Sequence, residues 1–148
     1  MKQIITFIIV TIFPVYLFAQ LNIQTLSHNQ KEEIIAVSEL WITELFKGEK
    51  IDVALDISTV PFALDKERVL TSTKELKDIY SQIIEDKGKR EVPKLKITII
   101  EHKQEIIENC IPIAIVKVNV FVDDDNPGNV LLCLTSINGK FKVCGFLD

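Results

Sequence analysis

The sequence predicts an α+β domain in which three helices precede an antiparallel sheet. Up to Gly88, apolar residues recur at helical intervals behind capping residues. From Pro93 onward the chain becomes a series of alternating, β-branched segments, the last two of them joined by Asn138-Gly139.

The first twenty residues, "MKQIITFIIVTIFPVYLFAQ", read as a secretory signal peptide: Lys2 precedes an apolar run, and the small Ala19 stands before Gln20. The run is shorter than the ~20 apolar residues needed to span a bilayer and contains Pro14. Residues 1–19 are therefore expected to be removed, leaving a single domain over 20–148 with no membrane span in a secreted or periplasmic setting. No cysteine stands at the cleavage point, so no lipid anchor is expected. The whole chain carries a formal net charge of −4, and losing Lys2 makes it one unit more negative. That balance disfavours nucleic acid, whose phosphates call for a basic face.

Ser27 and Gln30 have capping-box spacing, and Ile34, Val37, Trp41 and Leu45 follow at helical intervals towards Gly48. "EKIDVALDIS" reads as a short second helix that Pro61 forbids to continue, and "PFALDKERVLT" as two extended pieces joined at Asp65 and Lys66. Ser72 and Glu75 form a second capping box. Leu76, Ile79, Tyr80, Ile83 and Ile84 then share one helical face, and Gly88 is the stop.

Four strands follow: "KLKITIIEH", "CIPIAIVKVNVFV", "NVLLCLTSI" and "KFKVCGFL". A two-residue Asn-Gly turn sets Ile137 opposite Lys140, Leu134 opposite Val143 and Cys133 opposite Cys144. Leu132, Leu134, Ser136, Phe141 and Val143 then share the face expected to be buried. Cysteines in an exported chain meet an oxidising compartment, and directly opposed strand positions lie within disulfide reach. A Cys133–Cys144 bridge is expected, with Cys110 unpaired.

This order, with the "PF" pair and charged turn leading into "TSTKELKDIY", resembles the NTF2-like family from about Ser27 to the C-terminus. The resemblance implies a cone in which three N-terminal helices pack against a curved antiparallel sheet around an apolar pocket. It further implies that Trp41, Phe62, Tyr80, Val118, Leu134 and Phe141 approach that cavity as ligand-binding residues, although each also suits plain packing. Family enzymes similar to ketosteroid isomerase place a carboxylate just after the second helix, where this chain reads "STVPFA" without one. Asp56 and Asp65 flank the gap and, with Tyr80, are the weak catalytic candidates.

Of the two histidines, His28 falls in the first helical turn and His102 at a strand end, both read as solvated. The chain contains no HExxH, no Cys-x-x-Cys, no Gly-rich phosphate loop and no GxSxG. "DDDNPGN", from Asp123 to Asn129, clusters hard oxygen ligands but puts Pro127 and Leu134 where a calcium loop needs other residues, and reads as a turn. No metal and no cofactor are expected. The leading expectation is an exported, non-catalytic domain that binds a small apolar molecule or a protein partner. The alternatives are a cone-fold isomerase, dehydratase or hydrolase using an Asp as acid-base, and a homodimer formed through an outer sheet face of Thr98, Ile100, Ile115, Ile137 and Phe146.

Overall fold

The structure, a computed structural model, describes residues 26–65, 67–88, 91–100, 113–121 and 127–147. The signal segment, His102, Cys110 and Asp123 to Asn126 lie outside the described residues. The elements run α1 (His28–Lys47), α2 (Ile51–Asp56), β1 (Ser58–Leu64), β2 (Arg68–Leu70), α3 (Thr73–Lys87), β3 (Lys94–Ile100), β4 (Ala114–Phe121), β5 (Gly128–Ile137) and β6 (Lys140–Leu147).

Both expected capping boxes form. Ser27 Oγ accepts the Gln30 N–H at 3.3 Å while Gln30 Oε1 accepts the Ser27 N–H at 2.8 Å. At α3, Ser72 Oγ accepts from the Glu75 amide, and Glu75 Oε2 takes the Ser72 and Thr71 amides at 3.1 and 2.8 Å. Those two backbone donors hold the Glu75 carboxyl below the usual carboxylate range. Helix α1 ends where Gly48 turns left-handed at φ 63° and returns its N–H to Glu44 O. His28 is solvent-exposed, 3.2 Å from Glu32.

Helix α2 stops at Asp56, before Pro61 can act on it. Pro61 instead lies within β1, after a cis peptide bond, where the pairing of β1 with β6 shifts register between Ser58 and Ala63. A residue without an N–H is tolerated at such an interruption of the ladder.

The sheet has the order β2-β1-β6-β5-β4-β3. It is mixed rather than antiparallel throughout, because β1 runs parallel to β6. The Pro-Phe hairpin of β1 and β2 thus extends the main sheet. Helix α1 touches β3, β4 and β6 and has α2 and α3 beside it. The core between helices and sheet gathers Ile34 and Ile42 of α1, Leu76 of α3, and Val116, Leu132 and Val143 of the strands.

Asn138 and Gly139 have φ of 52° and 77°, as the turn requires, and Ile137 faces Lys140 while Leu134 faces Val143. One position further, a bulge intervenes and Cys133 faces Gly145 instead of Cys144. On the other side of β6, parallel β1 sets Ala63 against Gly145. A Cβ on Gly145 would stand 3.1 Å from both Ala63 Cβ and Ala63 O, a tight approach, and the residue left over in the bulge is the neighbouring Cys144. The expected Cys133–Cys144 bridge does not form, and Cys133 is a free, buried thiol. The same bulge turns Phe146 inward, 6.0 Å from the Trp41 ring, removing it from the outer face to which simple alternation assigns it. Ile115 of that face is also buried, in a second small cluster with Cys133 and Cys144.

Candidate functional site

Three elements bring polar atoms together inside the apolar core. Trp41 comes from the inward face of α1, Ser58 from the start of β1 and Tyr80 from α3, and all three are buried. Ser58 Oγ donates to Ala54 O at 2.7 Å, which consumes its only proton. The 2.7 Å contact between Ser58 Oγ and the Tyr80 hydroxyl is therefore made with the Tyr80 proton. Trp41 Nε1–H donates to the Tyr80 hydroxyl at 2.9 Å, with Ser58 Oγ at 3.1 Å as a second acceptor. Every proton in the trio thus has an acceptor.

Aromatic rings enclose this network. Trp41 stacks on Phe62 with centroids 6.5 Å apart, Tyr80 meets Trp41 edge-on at 5.7 Å, and Phe62 meets Tyr80 edge-on at 6.1 Å. Burial drives the Tyr80 phenol far above its ordinary range, against the smaller opposing effect of its bonds to Ser58 and Trp41. A neutral phenol whose proton is already committed to Ser58 holds the core together and does not offer an acid to a substrate.

The six residues expected to line a cavity are all buried in one core cluster. Trp41, Phe62 and Tyr80 meet directly, whereas Val118, Leu134 and Phe141 contribute from the sheet. The catalytic candidates are not brought together. Asp56 and Asp65 are solvent-exposed, the first at the end of α2 and the second in the β1–β2 turn at φ 55°, while Tyr80 is interior. An acid-base pairing of either Asp with Tyr80 is therefore absent from this arrangement. Among the described residues there is no group of three or more His, Cys, Asp or Glu placed to hold a metal.

Two residues of this region escape sequence reasoning. Ser58 stands in "STVPFA", a segment without a carboxylate, and nothing in one sequence says that a hydroxyl there meets two aromatic polar atoms. Glu44 was legible in principle: it follows Trp41 by three residues and Val37 by seven, on the flank of the apolar stripe of α1. It is only 9% exposed, and its Oε2 has no hydrogen-bond partner.

A long helix lies on a six-stranded sheet, flanked by two further helices and closed around an aromatic interior, an α+β arrangement similar to that of NTF2-like proteins. No family model matches the chain, and no curated protein matches it. Among solved structures, it is similar to a protein of unknown function with a cystatin-like fold from Nostoc punctiforme, at 18% identity and a TM-score of 0.50, covering 82% of this chain and 91% of that one. It is also similar to an NTF-2 like protein of unknown function from Shewanella oneidensis, at 15% identity and a TM-score of 0.49 over 79% of this chain and 96% of that one. A third, Aln2 from a Streptomyces species, shares 9% identity with a TM-score of 0.48 over 82% and 90%. At 18% identity the first of these likenesses speaks to the fold and to nothing finer.

Proposed function

We propose that this chain is an exported, non-catalytic NTF2-like domain that works as a binding module for a protein partner, through its surface rather than as a container for a small apolar molecule. The observation carrying this reading is the interior itself. The side chains that would line a ligand cavity pack against one another, and the polar groups among them satisfy one another. With both aspartates at the surface, no carboxylate among the described residues hydrogen-bonds to Tyr80 for proton transfer. Export rests on residues 1–19 of the sequence; among the described residues no helix is long and apolar enough to cross a membrane.

Native mass spectrometry of the protein taken from the exported fraction of its own cells tests both parts. The expected mass begins at Gln20 and carries no small-molecule adduct. A reproducible apolar adduct would overturn the surface reading, and an intact N-terminus would overturn export. Ile100 and Ile137, both exposed near one end of the sheet, favour a second copy of the chain as one form such a partner can take. Sedimentation at high concentration reads that directly, with a single monomeric species counting against it.

A further inference from the structure

We propose that a disulfide joins Cys110 to Cys144 and fastens the chain entering β4 to β6, the exported setting argued above supplying the oxidising compartment it needs. The chain has three cysteines. Cys133 is a free thiol whereas Cys144 is disulfide-bonded, so Cys110 is the one partner the chain leaves for it. The β5–β6 register accounts for the choice. Cys133 faces Gly145, and Cys144 is the residue left over in the bulge. Cys144 is nevertheless buried in one cluster with Ile115 and Cys133, on the side of the sheet that Ile115 occupies. Cys110 has a short way to go to that position. Ile113 donates its N–H to Leu134 O at 2.8 Å, and Leu134 faces Val143, the neighbour of Cys144. Strands β4 and β6 flank β5, which sets them two ladder spacings, about 10 Å, apart. Cys110 precedes Ile113 by three residues, a length that reaches about 10 Å when extended. A disulfide spans about 5.5 Å more between Cα atoms. In forming the bond, Cys110 and Cys144 each lose a hydrogen, and the electron pair passes to an exchangeable disulfide of the compartment, which is reduced to two thiols. The bond closes residues 110–144, with β4 and β5 among them, into one loop and so restricts the unfolded chain.

Tryptic mapping of the protein taken from the exported fraction tests this, with free thiols blocked by N-ethylmaleimide in denaturant and no reductant added. Cleavage after Lys103, Lys117, Lys140 and Lys142 puts the three cysteines on separate peptides. The expected map carries maleimide on Cys133 alone and shows peptide 104–117 joined to peptide 143–148, lighter than their sum by the hydrogens lost. Maleimide on Cys110 and Cys144, or Cys133 joined to either of them, would overturn the proposal. The variant Cys133→Ala is expected to keep the same pair joined, and Cys110→Ser to carry maleimide on Cys144 as well; an unlabelled Cys144 in the second variant would count equally against the bond. The N-terminal peptide of the same digest separates this proposal from the export it rests on. A chain that begins at Gln20 with all three thiols labelled sinks the bridge and leaves export standing. If the N-terminus is intact, the map is read again after the purified, reduced chain has been treated with oxidised glutathione: the same pair is expected, and any other pairing, or none, overturns the bridge.

Discussion

Replacing Ser58 by Ala and Tyr80 by Phe, singly and together, tests whether the buried trio acts as one unit. Tyr80→Phe removes a hydroxyl that donates to Ser58 and accepts from Trp41. Trp41 Nε1 still reaches Ser58 Oγ at 3.1 Å, and Ser58 still donates to Ala54, so the loss is that of about one net hydrogen bond, about 1 kcal/mol. Ser58→Ala does more damage. It strips the acceptor from a phenol proton buried among rings, and leaving a buried donor unpaired costs about 1–3 kcal/mol. In the double variant the phenol proton no longer exists to be orphaned. The Trp41 Nε1–H, however, then has neither Tyr80 nor Ser58 as acceptor, so one unpaired buried donor replaces another and the double variant should cost roughly the sum of the two singles. Urea unfolding of the mature chain, followed by fluorescence of the single tryptophan, measures all four corners of the cycle. A Ser58→Ala variant no more costly than Tyr80→Phe would refute the shared network, as would a Tyr80→Phe variant as stable as the parent.

The Cys133 thiol is pushed up to about 11 by burial, so the unfolded chain ionises first as pH rises above about 9. The unfolded state then binds fewer protons than the native one, and stability falls between about pH 9 and 11, a fall that Cys133→Ala should reduce when urea midpoints are compared across that window. Gly145→Ala places a methyl 3.1 Å from Ala63 and should destabilise by about 1–3 kcal/mol on thermal unfolding, more than Gly139→Ala does through crowding, since nothing stands within 4 Å there. Ser72→Ala removes the α3 cap and should cost about 1 kcal/mol, seen as a lower urea midpoint with an unchanged slope. Asp56→Asn should leave stability within about 0.5 kcal/mol of the parent, because the side chain is exposed; a larger change would show that Asp56 is engaged after all.

Local signals carried the helices and failed where strands from distant parts of the chain meet. Ser27 with Gln30, Ser72 with Glu75, and the glycines at 48 and 88 announce the ends of α1 and α3 because capping is chemistry within four residues. Asn138-Gly139 likewise fixed the first pairs of its hairpin. The bulge that separates Cys133 from Cys144 lies beside Ala63, about eighty residues away in sequence, on a strand whose parallel pairing no short pattern reveals. One inserted residue then reversed the facing of Phe146 and removed the predicted disulfide. The aromatic members of the interior were legible from periodicity. Ser58 was not, because its role depends on Trp41 and Tyr80 arriving from two other elements, and Asp56 and Asp65 drew attention by residue type while their backbone positions point to solvent.

Hydrogen exchange of the Trp41 indole N–H most directly tests whether the interior is a closed and self-satisfied core. With one tryptophan in the chain, a single indole resonance reports on it. Held by Tyr80 and Ser58 beneath a shell of rings, that proton should exchange only through global unfolding, with a protection free energy equal to the stability measured in urea. Exchange within seconds under native conditions would show water entering among Trp41, Phe62 and Tyr80, and the interior would then be a cavity waiting for a ligand.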